Sequence, residues 1–216
     1  MFELMNEQLT AIGVIPVIVI NNASDALPLG KALSAAGMKC AEVTFRTDAA
    51  EETIRILSEN YPDLIVGAGT VFTTEQVDAA VNAGARFIDS PIIDTELIDY
   101  CISKDIPVYP GVATPSEAAA AVKRGLKILK FFPAEQNGGL AAINAMSAVF
   151  KDLRFFPMGG IDKYIMRDYL ASPLVAAVGG SWMVKASLID AGKFDKIEKL
   201  AREAVYSASD VRGKLS

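Results

Sequence analysis

Short runs of apolar and β-branched residues alternate along the chain with alanine-rich amphipathic stretches. The runs have the length of strands, recur roughly every 20–26 residues and end in glycine, proline or a polar residue. This spacing is typical of βα units. The pattern predicts eight strands, over Val14–Ile20, Cys40–Arg46, Leu64–Gly69, Arg86–Ser90, Pro107–Gly111, Lys127–Pro133, Arg154–Gly159 and Ala176–Gly180.

Helix signals lie between these runs. Several amphipathic stretches follow a capping residue and end at a glycine, as between Thr114-Pro115 and Gly125. The predicted helices cover a leading segment at 2–11 and then Ala26–Ala36, Glu75–Ala83, Asp94–Ser103, Ser116–Arg124, Gly139–Phe150, Lys163–Leu170 and Phe194–Ala208.

Eight evenly spaced strand–helix units favour a closed (β/α)8 TIM barrel with an additional N-terminal helix, forming a single domain over residues 1–216. A doubly wound open sheet is the alternative. In a barrel the chemistry lies at the C-terminal ends of the strands. The unusual residues of the chain cluster at those predicted ends.

Composition narrows the chemistry. The chain contains no histidine, which removes the Ser-His-Asp and Cys-His nucleophiles, the histidine general bases and the histidine-ligated metal sites. Its two cysteines, Cys40 and Cys101, form no CxxC pair, so we expect neither a disulfide framework nor a cysteine metal site. An enzyme of this composition must use Lys, Glu, Asp, Tyr, Ser, Thr or a borrowed cofactor.

The net charge and the apolar runs of the chain indicate which partners and which cellular compartment to expect. The net charge of -5 argues against nucleic-acid binding, which usually needs a basic face. The apolar run Val14–Ile20 is too short to span a bilayer. Glu3 and Glu7 precede it where a secretory signal would carry basic residues. We therefore expect a cytoplasmic protein without a membrane partner.

Lys130 lies inside an apolar predicted strand. Alternation places Ile128, Lys130 and Phe132 on one face, with Leu129 and Phe131 on the other. Because burying an ammonium is costly, a lysine embedded in this way favours the neutral amine, which can attack a carbonyl and form a Schiff base. The alternative is a lysine that reaches from the strand end to solvent.

Glu42 and Arg46 share a face of the second predicted strand with Thr44. One interpretation is that Glu42 is an interior proton shuttle and that Arg46 binds an anion above it. The alternative is a Glu42–Arg46 ion pair that fills the mouth of the barrel, since structural networks of this kind are common.

Glycine-rich turns end three other predicted strands. Gly67-Ala68-Gly69-Thr70 would let a ligand approach the backbone, and Thr70 adds a hydroxyl. Met158-Gly159-Gly160 and Gly179-Gly180-Ser181 end the seventh and eighth strands, whose loops often bind phosphate in these barrels. Tight βα turns without a ligand remain the alternative.

Taken together, these segments resemble one enzyme family. They are Glu42-Val43-Thr44 with Arg46-Thr47, Gly67-Ala68-Gly69-Thr70-Val71, Pro110-Gly111-Val112, Lys130-Phe131-Phe132-Pro133-Ala134-Glu135, Gly159-Gly160-Ile161 and Gly179-Gly180-Ser181-Trp182. In this order the series resembles the 2-keto-3-deoxy-6-phosphogluconate aldolases, a family that includes 4-hydroxy-2-oxoglutarate aldolases. The resemblance covers nearly the whole chain. It implies a class I aldolase on a (β/α)8 barrel, a homotrimer, and no metal or cofactor beyond the covalent imine.

The resemblance also assigns roles by position. It implies that Lys130 is the Schiff-base lysine and Glu42 the general acid/base, for reversible cleavage of the keto acid to pyruvate and glyceraldehyde 3-phosphate or glyoxylate. The chemistry of the residues agrees, since a protonated imine is an electron sink and an arginine grips a carboxylate bidentately. The implied binding residues are Arg46 and Thr70 for the pyruvate carboxylate, Pro91 and Phe132 for the pocket walls, and Gly159, Gly160 and Ser181 for the distal phosphate.

Three positions depart from the family pattern. Met158 stands where we expect threonine, Asp89 where we expect an apolar residue, and Ile92 where we expect glycine. We expect these changes to leave the pyruvate half of the site intact and to alter the distal half. Other readings stay open: a phosphate-sugar isomerase or epimerase, an aldolase for a different 2-keto-3-deoxy sugar acid, and a catalytically idle ligand-binding barrel.

Overall fold

A computed structural model describes residues 2–213. Eight parallel strands pair in the order β7-β6-β5-β4-β3-β2-β1-β8. Bridges from Phe155 to Val175 and from Met158 to Gly179 join β7 to the segment of β8, so that the sheet closes nearly into a barrel. The strands are β1 (Val14–Ile18), β2 (Cys40–Thr44), β3 (Ile65–Gly69), β4 (Ile88–Ser90), β5 (Val108–Val112), β6 (Ile128–Phe131), β7 (Arg154–Pro157) and β8 (Val178–Gly180).

Helices precede and connect these strands. They are α1 (Glu3–Ile12), α2 (Ala26–Ala35), α3 (Ala50–Asn60), α4 (Thr74–Asn82), α5 (Thr95–Ser103), α6 (Pro115–Val122), α7 (Gly139–Val149), α8 (Met166–Ala171), α9 (Ala186–Ile189) and α10 (Phe194–Gly213). None of the helices within the described part of the chain is both long and apolar enough to cross a membrane.

The nearly closed barrel with its N-terminal helix confirms the predicted fold class, and the doubly wound open sheet is excluded. Capping chemistry sets two helix starts as predicted. Thr73 and Thr114 each accept a hydrogen bond from the backbone N–H three residues later, where the side chain of Gln76 or Glu117 completes a capping box. The sequence pattern therefore specified these helix boundaries locally.

One helix and the carboxyl ends of several strands differ from the prediction. The helix α3 was not predicted, although its buried positions, Ala50, Thr53, Ile54 and Leu57, follow helical spacing. Several strands end earlier than predicted at their carboxyl ends, as β2 does at Thr44. The residues after these strands leave the sheet and form the loops at the mouth of the barrel.

The C-terminal helix is longer than predicted. It ends at Gly213 instead of Ala208, and its last turn is held because Arg212 donates hydrogen bonds to the backbone carbonyls of Val175 and Ala176 at 3.0 and 2.7 Å. The short helix α9, after β8, was also not predicted.

The lower interior of the barrel is packed with aromatic rings. We call Phe87, Tyr109 and Phe156 the aromatic cluster: the rings of Phe87 and Tyr109 lie 5.8 Å apart, and those of Tyr109 and Phe156 lie 6.3 Å apart, both edge to face. The Tyr109 hydroxyl donates to Asn6 Oδ1 of α1 at 2.9 Å. The N-terminal helix thus covers the bottom of the barrel, and the mouth is left for a ligand.

Candidate active site

A cavity of about 240 Å³ opens at the C-terminal ends of the strands. All the predicted site residues except Pro91 line it, together with Met158. These lining residues are Glu42, Arg46, Thr70, Lys130, Phe132, Gly159, Gly160 and Ser181. With Val17 of β1, residues from six of the eight strands or their following loops therefore meet at one place, as the barrel geometry requires.

Lys130 projects from β6 into the barrel interior. Only 4% of the residue is exposed, so the alternative of a lysine reaching to solvent is excluded. Its Nζ atom lies 5.0 Å from the centroid of the Phe132 ring. Leu129 and Phe131 pack outwards into the core between the strands and the helices, which confirms the predicted alternation of faces.

Glu42 projects from β2 and is fully buried. Neither of its carboxylate oxygens has a hydrogen-bond partner within residues 2–213, so the predicted alternative of a Glu42–Arg46 ion pair is not formed. Burial raises the pKa of the Glu42 carboxyl, and the positive charges of Lys130 and Arg46 offset this only in part. A carboxyl of this kind is suited to give and take a proton.

The backbone of β3 makes room for this carboxyl. A Cβ atom placed on Gly69 would lie 1.9 Å from Glu42 Oε1. No side chain fits at that position while Glu42 keeps its place. Gly69, which the sequence suggested as a site of ligand approach, is therefore needed first for the placement of Glu42.

The position of Asp89 contradicts the prediction made for it. We expected this departure to affect the distal half of the site, but Asp89 is fully buried on β4 and accepts a hydrogen bond from Lys130 Nζ. It does not line the cavity, and its Oδ2 atom has no partner in the described chain. The departure thus lies beside Lys130, in the buried part of the site. Alternation puts Asp89 on the interior face with Phe87, which is the signal that the sequence carried.

Asp89, Glu42 and Lys130 come from strands β4, β2 and β6. Barrels build their interior layers from alternate strands in this way, and we call these three residues the charged layer. Burial, followed by the charge of Glu42, raises the pKa of Asp89 well above its ordinary value, and Lys130 opposes this shift. Two carboxyls and one amine therefore share a site that is almost closed to water.

Thr70 and Arg46 stand at the rim above the charged layer. Thr70 follows β3 with a φ of 59°, in the left-handed region that a β-branched residue rarely adopts. Such strain is maintained where the surrounding structure fixes it, and it is concentrated at functional sites. Arg46 follows β2 and is exposed, so its guanidinium is available to an anion that enters the cavity.

The loops after β7 and β8 form the opposite wall. Gly159 and Gly160 have φ values of 94° and 81°, and a Cβ on Gly160 would lie 2.6 Å from Cβ of Glu135. Met158 is buried and packs over Gly179, where a Cβ would meet its Cε at 2.6 Å. A thioether therefore occupies the wall where the family pattern led us to expect a hydroxyl.

Pro91 does not join the cavity lining. Ser90 Oγ accepts a hydrogen bond from Ile92 N at 3.4 Å, which turns the chain directly after β4. The Pro91 carbonyl oxygen consequently packs on Gly111, where a Cβ would lie 2.3 Å away. Ile92 is 46% exposed.

Metal-ligating side chains are not clustered at the candidate site in the described part of the chain. Among residues 2–213, no group of three or more His, Cys, Asp or Glu side chains is placed to hold a metal ion. Cys40 and Cys101 are both buried as free thiols.

The geometry can be compared with known proteins. The model of one family, described as KDPG and KHG aldolase, matches residues 5–200. The chain belongs to this family. The KDPG and KHG aldolase family thus accounts for the whole barrel, from α1 into α10.

Individual members of the family are similar over nearly their full length. The chain is 46% identical to the 2-dehydro-3-deoxy-phosphogluconate aldolase of Dickeya dadantii (strain 3937), over 93% of this chain and 94% of that one. It is 45% identical to the KHG/KDPG aldolase of Escherichia coli (strain K12), with the same coverage.

A solved structure is similar in both fold and sequence. It is the KDPG aldolase of Legionella pneumophila, with pyruvate captured at low pH as a covalent carbinolamine intermediate. It superimposes with a TM-score of 0.88 at 41% identity, over 91% of this chain and 96% of that one. In that relative, pyruvate chemistry is thus covalent.

Proposed function

We propose that this protein is a class I aldolase that cleaves 2-keto-3-deoxy-6-phosphogluconate, 4-hydroxy-2-oxoglutarate, or both, to pyruvate and an aldehyde. The observation that carries the proposal is the buried Lys130 amine in a cavity that also contains a buried carboxyl without a partner, Glu42. An amine shielded from water is suited to attack a carbonyl, and the imine that forms needs a nearby proton carrier.

The steps follow from the positions of these two groups. The lone pair of Lys130 Nζ attacks the C2 carbonyl carbon of the keto acid, and loss of water leaves a protonated imine. The Glu42 carboxylate then takes the proton of the C4 hydroxyl. The C3–C4 bond breaks, its electrons flow to the imine nitrogen, and the aldehyde leaves. Glu42 returns its proton to C3 of the enamine, and hydrolysis of the imine releases pyruvate.

The remaining lining residues would hold the two ends of the substrate. Arg46 and Thr70 are assigned to the pyruvate carboxylate, because a guanidinium binds a carboxylate bidentately and a hydroxyl adds a donor. Phe132 and Pro91 are assigned to the pocket walls. For Pro91 this assignment requires a movement of the loop after β4, since it lies outside the cavity.

The distal end of the substrate would lie against the loops after β7 and β8. Gly159, Gly160 and Ser181 offer backbone N–H groups and a hydroxyl, which suit a phosphate. Met158 adds an apolar surface beside them. We infer that this wall accepts the short substrate 4-hydroxy-2-oxoglutarate comparatively well without rejecting a phosphorylated one.

We further propose that the protein is a cytoplasmic homotrimer that needs no metal and no cofactor, and that it serves sugar-acid breakdown of the Entner–Doudoroff type. Phe72 and Ile92, which follow neighbouring strands, are 44% and 46% exposed, and a contact between subunits at this end of the barrel would cover them. Light scattering that gives three times the chain mass is the expected result, and a monomer would contradict the trimer.

The substrate proposal is tested by release of pyruvate from a panel of keto acids. Cleavage of 2-keto-3-deoxy-6-phosphogluconate or 4-hydroxy-2-oxoglutarate, unchanged after exhaustive chelation with EDTA, is expected. Loss with EDTA and recovery with a divalent ion would contradict a metal-free imine mechanism. A phosphate-sugar isomerase or an idle binding barrel would release no pyruvate from any member of the panel.

A further inference from the structure

The carboxyl of Asp89 contacts the amine of Lys130 without lining the cavity. Its Oδ1 atom accepts a hydrogen bond from Lys130 Nζ, whereas the cavity is lined by Lys130 and Glu42 but not by Asp89. Asp89 is fully buried and Lys130 is 4% exposed. The amine of Lys130 is therefore in contact both with a buried carboxyl and with the cavity that would hold the substrate.

The charged layer cannot easily keep all of its charges. Two carboxylates and one ammonium would leave a net negative charge in an interior with little access to water. Such charges are costly unless they are fully paired. Glu42 Oε1, Glu42 Oε2 and Asp89 Oδ2 have no hydrogen-bond partner among the described residues. One further proton on the layer, shared between the carboxyls, removes the net charge.

Other titratable groups face this layer and stay neutral. Burial raises the pKa of the Tyr109 hydroxyl on β5 and that of the Cys40 thiol on β2. β3 faces the layer with Gly67 and Gly69, which carry no titratable group. The Arg46 guanidinium lies at the rim, after β2. The proton exchange around Asp89 thus involves only Lys130 and Glu42.

We propose that Asp89 is a further catalytic residue that takes a proton from Lys130 Nζ and thereby generates the nucleophilic amine inside the barrel. This inference rests on the proposed imine chemistry at Lys130. An apolar residue at this position, which the family pattern led us to expect, has no such capacity.

With Asp89 in this role, every proton transferred during imine formation is accounted for. The ammonium gives one proton to the Asp89 carboxylate, and the neutral amine attacks C2 of the keto acid. The carbonyl electrons move to oxygen, which takes a second proton from the nitrogen. The hydroxyl group then takes a proton from the Glu42 carboxyl and leaves as water, with the C–O bond electrons. The result is an N-protonated imine, a neutral Asp89 and an ionised Glu42.

This sequence of transfers also prepares the next step. Glu42 becomes a carboxylate when the imine forms, which is the form that it needs to accept the C4 hydroxyl proton. Asp89 holds the first proton while Lys130 Nζ is bonded to C2 of the substrate. It returns the proton when imine hydrolysis restores the amine.

The test is the pH dependence of imine formation in the full-length protein. The probe is pyruvate, trapped with borohydride after timed mixing and quantified by mass spectrometry at Lys130 from pH 6 to pH 9. The wild type draws its neutral amine from the internal pair of Lys130 and Asp89. In Asp89→Asn the lysine proton must pass to solvent towards acid, where Glu42 is protonated because burial raises its pKa. The rate in Asp89→Asn is then expected to fall about tenfold per pH unit towards acid.

The decisive quantity is the ratio of wild-type to Asp89→Asn rates, compared across this pH range. We expect a ratio of at least roughly ten at pH 6 that approaches one at pH 9. A ratio that is constant across pH, or below one at pH 6, would overturn the proposal. Asp89→Val gives a second variant with the same expectation, in case the Asn variant does not fold.

A control variant and the wild-type adduct itself distinguish failure of the Asp89 role from failure of the proposed function. Asp99→Asn removes a surface carboxylate that is paired with Arg124, and it should retain the wild-type profile. If wild-type protein forms no adduct at Lys130, the proposed function itself fails. If the adduct forms but Asp89→Asn retains the wild-type pH profile, only the role of Asp89 fails.

Discussion

The barrel interior is built in two contrasting levels. In the lower level the aromatic cluster is buried with its rings edge to face, and the one polar atom of these side chains, the Tyr109 hydroxyl, is satisfied by Asn6. In the upper level the charged layer is equally buried, yet three carboxylate oxygens lack a hydrogen-bond partner in the described chain. The same strands thus provide a packed support at one end and reactive groups at the other.

This difference separates stability from chemistry along each strand. Buried aromatic side chains gain from removal of apolar surface and from ring geometry. Buried carboxyls without partners cost free energy and persist where they have a use. Substitutions in the two levels should therefore have opposite consequences, with activity lost from the upper level and folding free energy from the lower one.

The largest expected effect is on turnover, from Glu42→Gln. The amide keeps the shape of the side chain but cannot carry a proton, so kcat for pyruvate release should fall by roughly 10²–10⁴. The imine should still form, but more slowly, because the leaving hydroxyl must then take its proton from water. Glu59→Gln, at an exposed position of α3, is the matched control and should leave kcat unchanged. Near-normal turnover in Glu42→Gln would mean that this carboxyl is only a structural part of the mouth.

The aromatic cluster should respond through folding instead. Phe87 fills the space above Gly67, where a Cβ would lie 2.1 Å from its ring. Phe87→Ala should lower the free energy of unfolding by roughly 3–5 kcal/mol, because it leaves a cavity in a fully buried site. Tyr206→Ala, at a residue of α10 that is 74% exposed, should cost much less. Equal losses of unfolding free energy in the two variants, measured by urea denaturation, would remove the distinction between the core and the surface.

Glu42→Gln should also change the dependence of stability on pH. Because burial raises the pKa of Glu42 in the folded state above its ordinary value of 4.5, the wild type loses stability as pH rises through that raised pKa. The variant has no proton to lose there. Its free energy of unfolding should exceed that of the wild type at pH 8 by roughly 1–3 kcal/mol, with no difference below pH 4. A constant difference across pH would show that Glu42 titrates normally.

A smaller effect is expected at the wall of the cavity. Met158→Thr restores a hydroxyl beside Gly159, so preference should shift towards 2-keto-3-deoxy-6-phosphogluconate over 4-hydroxy-2-oxoglutarate. One hydrogen bond is worth on the order of 0.5–1.5 kcal/mol, or about 2–13-fold in the ratio of kcat/KM values. An unchanged ratio would place the determinants of the distal end elsewhere in the cavity.

The sequence predicts much of this two-level design, because strand alternation is local. It places Lys130 and Glu42 on interior faces, and the structure brings both into one cavity. The contact of Asp89 with Lys130 depends on the relative heights of β4 and β6, which are not adjacent in the sheet. No local sequence pattern encodes the relative heights of two strands in the barrel. The effect of Asp89 was therefore predicted for the distal half of the site instead of for Lys130.

The limits of local patterns also explain the differences at element ends. Thr114 sets the start of α6 through its own side chain, and that start was predicted. The end of α10 depends on Arg212 reaching the carbonyls of Val175 and Ala176, a tertiary contact that extends the helix. At the mouth, the place of the Pro91 carbonyl against Gly111 of β5 likewise depends on a contact between strands.

The central claim is that the upper level carries its chemistry on Lys130. Incubation with pyruvate and borohydride, followed by peptide mapping, tests it most directly, with a variant of the exposed Lys185, Lys185→Ala, as the control. The account predicts a reduced pyruvate adduct on the peptide that contains Lys130, in the wild type and in the control alike. An adduct at Lys185, or on no lysine, would contradict it.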